Sequence, residues 1–112
     1  TGETRGIPSA PTPRDYERAF DRYPSAQAAL VTSPDYFGRT ADVRGIKDVC
    51  ERRGKLLIVD AAHGAHFASR PDIFPCGGEK YADFAVLSAH KTLRAMTQSA
   101  IGAVNDERYF PA

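Results

Sequence analysis

Apolar residues fall in two kinds of block along the chain, and the blocks alternate. Ala28-Ala29-Leu30-Val31-Thr32, Leu56-Leu57-Ile58-Val59 and Phe84-Ala85-Val86-Leu87 are short, nearly unbroken apolar runs. Runs of that length fit strands buried on both faces better than half-exposed ones, which would alternate. A fourth run, Ala100 to Val104, reads as a further strand. Two other stretches space their apolar residues by three and four, the period of a helix with one face on a core. The first opens at Thr12-Pro13-Arg14-Asp15, where Thr12 can cap, Pro13 suits the first turn and Asp15 closes a capping box. It should end near Tyr23, before Pro24, with Tyr16, Ala19, Phe20 and Tyr23 on one side. The second is expected from about Thr40 to Arg53, with Val43, Ile46, Val49 and Cys50 as its stripe and Gly54 as its stop. Residues 1–11 read as an irregular lead-in, and residues 61–82 as loop with one short helix near Gly78 to Tyr81.

Strands alternating with helices predict an α/β fold, three-layered, with a mostly parallel sheet built from right-handed crossovers. Ligands of such sheets bind beyond the carboxyl ends of the strands. The polar residues gather there: Ser33 after the first strand, Asp60 and His63 after the second, Ser88, His90 and Lys91 after the third.

Composition narrows the classes without choosing one. At 112 residues the chain is one small domain, and its net charge of +1 offers no footprint for nucleic acid or an anionic membrane surface. No apolar run approaches a membrane span, and the polar first residues do not resemble a signal peptide. The absence of an initiator Met suggests an excerpt or processed piece. Cys50 and Cys76 form no CxxC pair, so a reduced, cytoplasmic chain is expected.

Asp60 and Lys91 bring the chemistry. A carboxylate directly after an apolar strand is costly unless something pairs with it, and Lys91 poses the mirror problem after the next strand. Singly, each reads as a cap, an ion pair or a solvated group. Together they suit pyridoxal 5'-phosphate (PLP), which needs a lysine for its Schiff base, an anion at its pyridine nitrogen and donors for its phosphate. Asp60 would serve the nitrogen, Ser88 the phosphate and His63 the ring, while His90 would help place the lysine or the reacting carboxylate.

The stretch Leu30-Val31-Thr32-Ser33-Pro34, then Val59-Asp60-Ala61-Ala62-His63-Gly64-Ala65-His66, then Ser88-Ala89-His90-Lys91-Thr92-Leu93 and Thr97-Gln98-Ser99 resembles the bacterial ornithine/lysine/arginine decarboxylases. These have the fold-type-I PLP architecture of the aspartate aminotransferase superfamily. The resemblance implies Lys91 as the Schiff-base lysine, Asp60 as the pyridinium partner, Ser88 as a phosphate ligand, His90 as the histidine before the lysine, and His63 as a ring contact. It implies decarboxylation of arginine, lysine or ornithine to a polyamine precursor, in at least a homodimer. Two residues depart from the pattern: Ala61, where the family tends to be acidic, and Asp35, where Thr usually follows Ser-Pro. Family members are several times longer and carry a phosphate loop, a stacking ring and a C-terminal domain outside this stretch. The chain thus reads as a central slice of the PLP-binding major domain, and the residues that recognise a substrate's distal group are expected outside it.

Other readings stay open on the residues alone. Asp60, His63 and His66 have a D-x-x-H-x-x-H spacing that could ligate a metal, though Gly64 argues for a turn rather than the helix that would align them. The motifs also suit other fold-type-I enzymes, such as acyltransferases, aldolases and desulfurases, or a catalytically inert fragment. Tyr16, Phe20 and Phe84 are expected in the core.

Overall fold

The structure, a computed structural model, describes residues 3, 4, 6–74 and 78–106. Strands β1 (Glu3–Thr4) and β2 (Ile7–Pro8) pair antiparallel across a turn at Gly6, whose φ of +78° suits a residue without Cβ. The expected irregular lead-in therefore contains a small hairpin. Helix α1 (Pro13–Arg22) leads to β3 (Ala28–Thr32), α2 (Val43–Arg52) and β4 (Leu56–Asp60). After a long connection come β5 (Phe84–Ser88), the single turn α3 (Ala89–Thr92) and β6 (Ala100–Val104). Strand order is β3-β4-β5-β6, with β3, β4 and β5 parallel and β6 antiparallel.

Local chemistry sets the helix ends. Thr12 caps α1, its hydroxyl and backbone sharing a full capping box with Asp15, as the sequence predicts. The hydrogen bond to the Thr12 backbone, then that to its hydroxyl, holds the Asp15 carboxyl below its usual range. The stripe of α1 is narrower than expected: Phe20 is buried and Tyr16 half-buried, but Ala19 and Tyr23 are exposed. Helix α2 begins three residues later than the Thr40 start predicted, because the Asp42 carboxylate takes the Gly45 N–H and caps it instead. Its predicted stripe of Val43, Ile46, Val49 and Cys50 is wholly buried. The short helix expected near Gly78 is a turn closed by the Tyr81 and Ala82 N–H groups on the Gly78 carbonyl, and a one-turn helix stands instead at Phe67–Ser69.

The core lies between the helices and one sheet face, where Ala29, Val31, Leu57, Val59, Ala85 and Leu87 meet Phe20, Ile46, Val49 and Cys50. The opposite face carries Leu30, Ile58, Phe84 and Val86, in cross-strand register, and among the described residues no helix covers it. Leu30 is 65% exposed and Phe84 39% exposed, so β3 is buried on one face rather than two and Phe84 is not a core residue. Phe20 and, in part, Tyr16 do belong to the core. At the amino edge Lys47 and the Leu57 N–H both bind the Asp83 carboxylate, at 2.6 and 2.7 Å. A cavity of about 960 Å³ with balanced charges opens beside them. Among the described residues no helix is long and apolar enough to cross a membrane.

Candidate active site

The sheet register brings the strand-end residues to one edge. Thr32, Asp60 and Val86 are cross-strand neighbours. Alternation along β5 then puts Ser88 on the same face as Asp60, one strand over and roughly 7 Å further along. Antiparallel β6 starts at this edge too, with Ala100 opposite Ser88. Asp60 is half-buried, and its Oδ1 accepts the Ala62 N–H at 3.0 Å. Ser88 is buried to 9% exposure, and its hydroxyl has no hydrogen bond among the described residues.

Lys91 follows on α3, exposed, with no hydrogen bond or ion pair among the described residues. His90 is otherwise engaged. Its Nδ1 lies 3.2 Å from the Ser99 N–H and 3.0 Å from the Ser99 carbonyl. Unprotonated, that nitrogen accepts from the N–H; protonated, it donates to the carbonyl. Either way the ring clasps the two ends of the β5–β6 connection, assisted by the Ala89 N–H on the Ser99 carbonyl. The Thr92 hydroxyl, one residue beyond Lys91, is buried without a partner.

His63 sits half-buried in the turn after β4, its ring edge-on to Tyr36 at 6.4 Å. His66 lies elsewhere, edge-on to the stacked rings of Phe67 and Phe74 at 4.9 and 5.3 Å. Asp60, His63 and His66 thus do not form the metal site their spacing allowed. Among the described residues no group of three or more His, Cys, Asp or Glu is placed to hold a metal ion. Ser33 is fully buried and accepts the Ala41 N–H at 3.0 Å, a structural role. Asp35, which departs from the family pattern, is taken up by Arg39 and by the N–H groups of Phe37 and Arg39. The Arg39 guanidinium holds its carboxyl below the usual carboxylate range. Cys76 lies outside the described residues, and Cys50 is a buried free thiol.

The profile for the Orn/Lys/Arg decarboxylase major domain matches residues 2–111. The chain belongs to that family. It is 41% identical over 85 residues to the uncharacterised protein YaaO of Bacillus subtilis, covering 75% of this chain and 18% of that one. It is 35% identical over 96 residues to the arginine decarboxylase of Halalkalibacterium halodurans, covering 86% of this chain and 20% of the relative. The crystal structure of mouse CSAD superposes with a TM-score of 0.69 at 26% identity, over 94% of this chain and 23% of that one. The sheet is thus the mixed sheet of fold-type-I PLP enzymes, and the chain spans about a fifth of the curated relatives it matches.

The strand-end residues fit PLP by their chemistry. In this chain the edge carries the Asp60 carboxylate, the Ser88 hydroxyl and the Lys91 ammonium, the latter two without partners among the described residues, and the orphaned buried Thr92 hydroxyl. Sequence reasoning missed three features: Tyr36 against His63, the orphaned Thr92 hydroxyl, and the Asp35–Arg39 pair that rigidifies the turn carrying Tyr36. Only the last left a local signal, an acid and a base four residues apart.

Proposed function

We propose that this chain supplies the cofactor-holding edge of a PLP-dependent decarboxylase acting on arginine, lysine or ornithine. The carrying observation is the common face and edge of Asp60 and Ser88, followed within one turn by the unpaired Lys91. Lys91 is the residue for covalent attachment, Asp60 the anion for the ring nitrogen, and Ser88 a donor to the phosphate. His63 would contact the ring, and His90, through its clasp on Ser99, would hold the turn that carries Lys91. When bound, PLP supplies an electron sink for the bond to carbon dioxide. Asp60 keeps the proton that makes the sink effective, and Lys91 or His90 is within the same turn to return a proton to the product. A homo-oligomer in the cytoplasm is the setting the resemblance favours. Basic substrates are favoured over those of acyltransferases, aldolases and desulfurases by the decarboxylase relatives.

Borohydride reduction of the PLP-loaded whole enzyme, followed by peptide mapping, tests the assignment. The pyridoxyl label is expected on Lys91. Lys47 is the informative control, since it is paired with Asp83 and Glu51 at the opposite sheet edge. A label on Lys47 or Lys80 in place of Lys91 would overturn the reading.

A further inference from the structure

Tyr36 combines two properties that seldom go together. Its side chain is 85% exposed, so it adds little to the core, yet its backbone belongs to one of the most heavily pinned turns of the molecule. Asp35 accepts the Phe37 and Arg39 N–H groups, each at 2.9 Å, and Arg39 Nε at 2.7 Å. Its own N–H binds the Arg39 carbonyl at 2.8 Å, Gly38 closes the turn at φ +78°, and the Arg39 guanidinium also donates to the Pro8 carbonyl. A second feature brings His63 to this turn. A Cβ on Gly64 would lie 2.7 Å from Pro34 Cδ, so only glycine lets the 61–64 turn seat itself on the proline ring. His63, next in sequence, then meets Tyr36 edge-on at 6.4 Å. The imidazole makes no hydrogen bond among the described residues, so this aromatic edge is its orienting contact. Such contacts contribute roughly 0.5–1.5 kcal/mol, enough to bias a half-buried ring that makes no hydrogen bond among the described residues.

We propose that Tyr36 is a positioning residue of the strand-end site: held by the Asp35–Arg39 turn, it fixes the plane of the His63 imidazole. The inference deepens the cofactor reading and rests on it for what His63 faces. Because Tyr36 buries so little surface, Tyr36→Ala leaves the fold intact, which makes the test clean. In the cofactor-free chain, with histidine and lysine labelled, Tyr36→Ala should shift the His63 imidazole resonances and erase its cross-peaks to the Tyr36 ring. The resonances of His66 and His90 should stay in place, and Tyr36→Phe, which keeps the ring, should restore the wild-type His63 signals. Unchanged His63 resonances in Tyr36→Ala, or equal shifts at all three histidines, overturn the positioning role. Adding PLP to the wild type then asks a separate question. A response confined to His63 and Lys91 supports the imidazole facing the cofactor. Perturbation elsewhere, with His63 unmoved, overturns that part while the cofactor-free result stands.

Discussion

Gly78 and Gly38 both have positive φ, +96° and +78°, but differ in their surroundings. A Cβ on Gly78 would lie 2.5 Å from Val59 Cγ1, inside the core, whereas one on Gly38 would meet nothing within 4 Å. Left-handed strain is common to both, at about 1–2 kcal/mol for a residue with Cβ. Overpacking against a buried valine adds about 1–3 kcal/mol at Gly78 alone. Gly78→Ala should therefore lower stability clearly more than Gly38→Ala in urea titrations, and equal losses would show that Val59 has room to give. Asp60 behaves in the opposite sense. Among the described residues its carboxylate bonds only locally, to the Ala62 N–H, so Asp60→Ala should barely move the unfolding midpoint. In the whole enzyme its turnover should fall by about a hundredfold or more, the scale for removing one preorganised electrostatic partner. Near wild-type turnover would end the ring-nitrogen assignment. That Asp60, Ser88 and Lys91 come to one edge was legible because the first two end apolar runs and Lys91 follows the second by three residues. Tyr36 was not, because its partner His63 belongs to another strand's loop and only the fold joins them.

Among elements, the tie between α2 and the start of β4 and β5 invites a test. Lys47 is largely buried, and burial by itself lowers its pKa, but the hydrogen bond and charge of Asp83, with Glu51, outweigh it and the net shift is upward. A raised lysine pKa means stability fully present below the unfolded value of 10.5 and lost as pH rises through the folded value. Asp83→Asn keeps an acceptor for the Leu57 N–H but removes the charge and puts an NH2 group where Oδ1 accepted from Lys47. It should cost about 1.5–3 kcal/mol at neutral pH, the scale of a hydrogen bond to a charged group. Its deficit against wild type should shrink above pH 10.5, where wild type loses the same pairing. The Cys50 thiol, pushed up to about 11 chiefly by burial and in part by the Asp83 charge, titrates in the same range, so both proteins should carry Cys50→Ala for the comparison. Urea midpoints across pH 7 to 11.5 check this, and a constant deficit would mean that the pair contributes geometry rather than charge. All four sheet strands were legible from their apolar runs. The direction of β6 was not, since alternation of strand and helix suggested another crossover. A parallel return needs about a dozen residues of crossover, commonly a helix, and α3 has one turn. The chain therefore runs back beside β5, which places Ser99 where His90 can hold it.

At the scale of the molecule, the two sheet faces are unlike. One is sealed by α1 and α2; the other presents Leu30, Ile58, Phe84 and Val86 in adjacent register positions on β3, β4 and β5. The sequence hid this difference, because a run of apolar residues looks the same whether or not a second layer covers its outer side. Among the described residues β3 is also an edge strand, its outer side unpaired apart from the Leu30 carbonyl, which accepts the Tyr16 hydroxyl. An open apolar face next to an unprotected edge favours association. The net charge of +1 provides little repulsion against it. The chain by itself should therefore bind a hydrophobic dye and self-associate as its concentration rises, as sedimentation velocity would show. Leu30 is the residue to change: at 65% exposure its replacement leaves the core untouched, and lysine on an edge strand opposes pairing by charge. Covering a leucine side chain contributes about 1.5–3 kcal/mol. Part of Leu30 is already buried, so Leu30→Lys should weaken association by about tenfold, or about 1.4 kcal/mol. The unfolding midpoint should stay near wild type, which separates loss of association from loss of fold. A wild-type chain that stays monomeric without dye binding at high micromolar concentration would show that the open face is too small or too well hydrated to act as an interface.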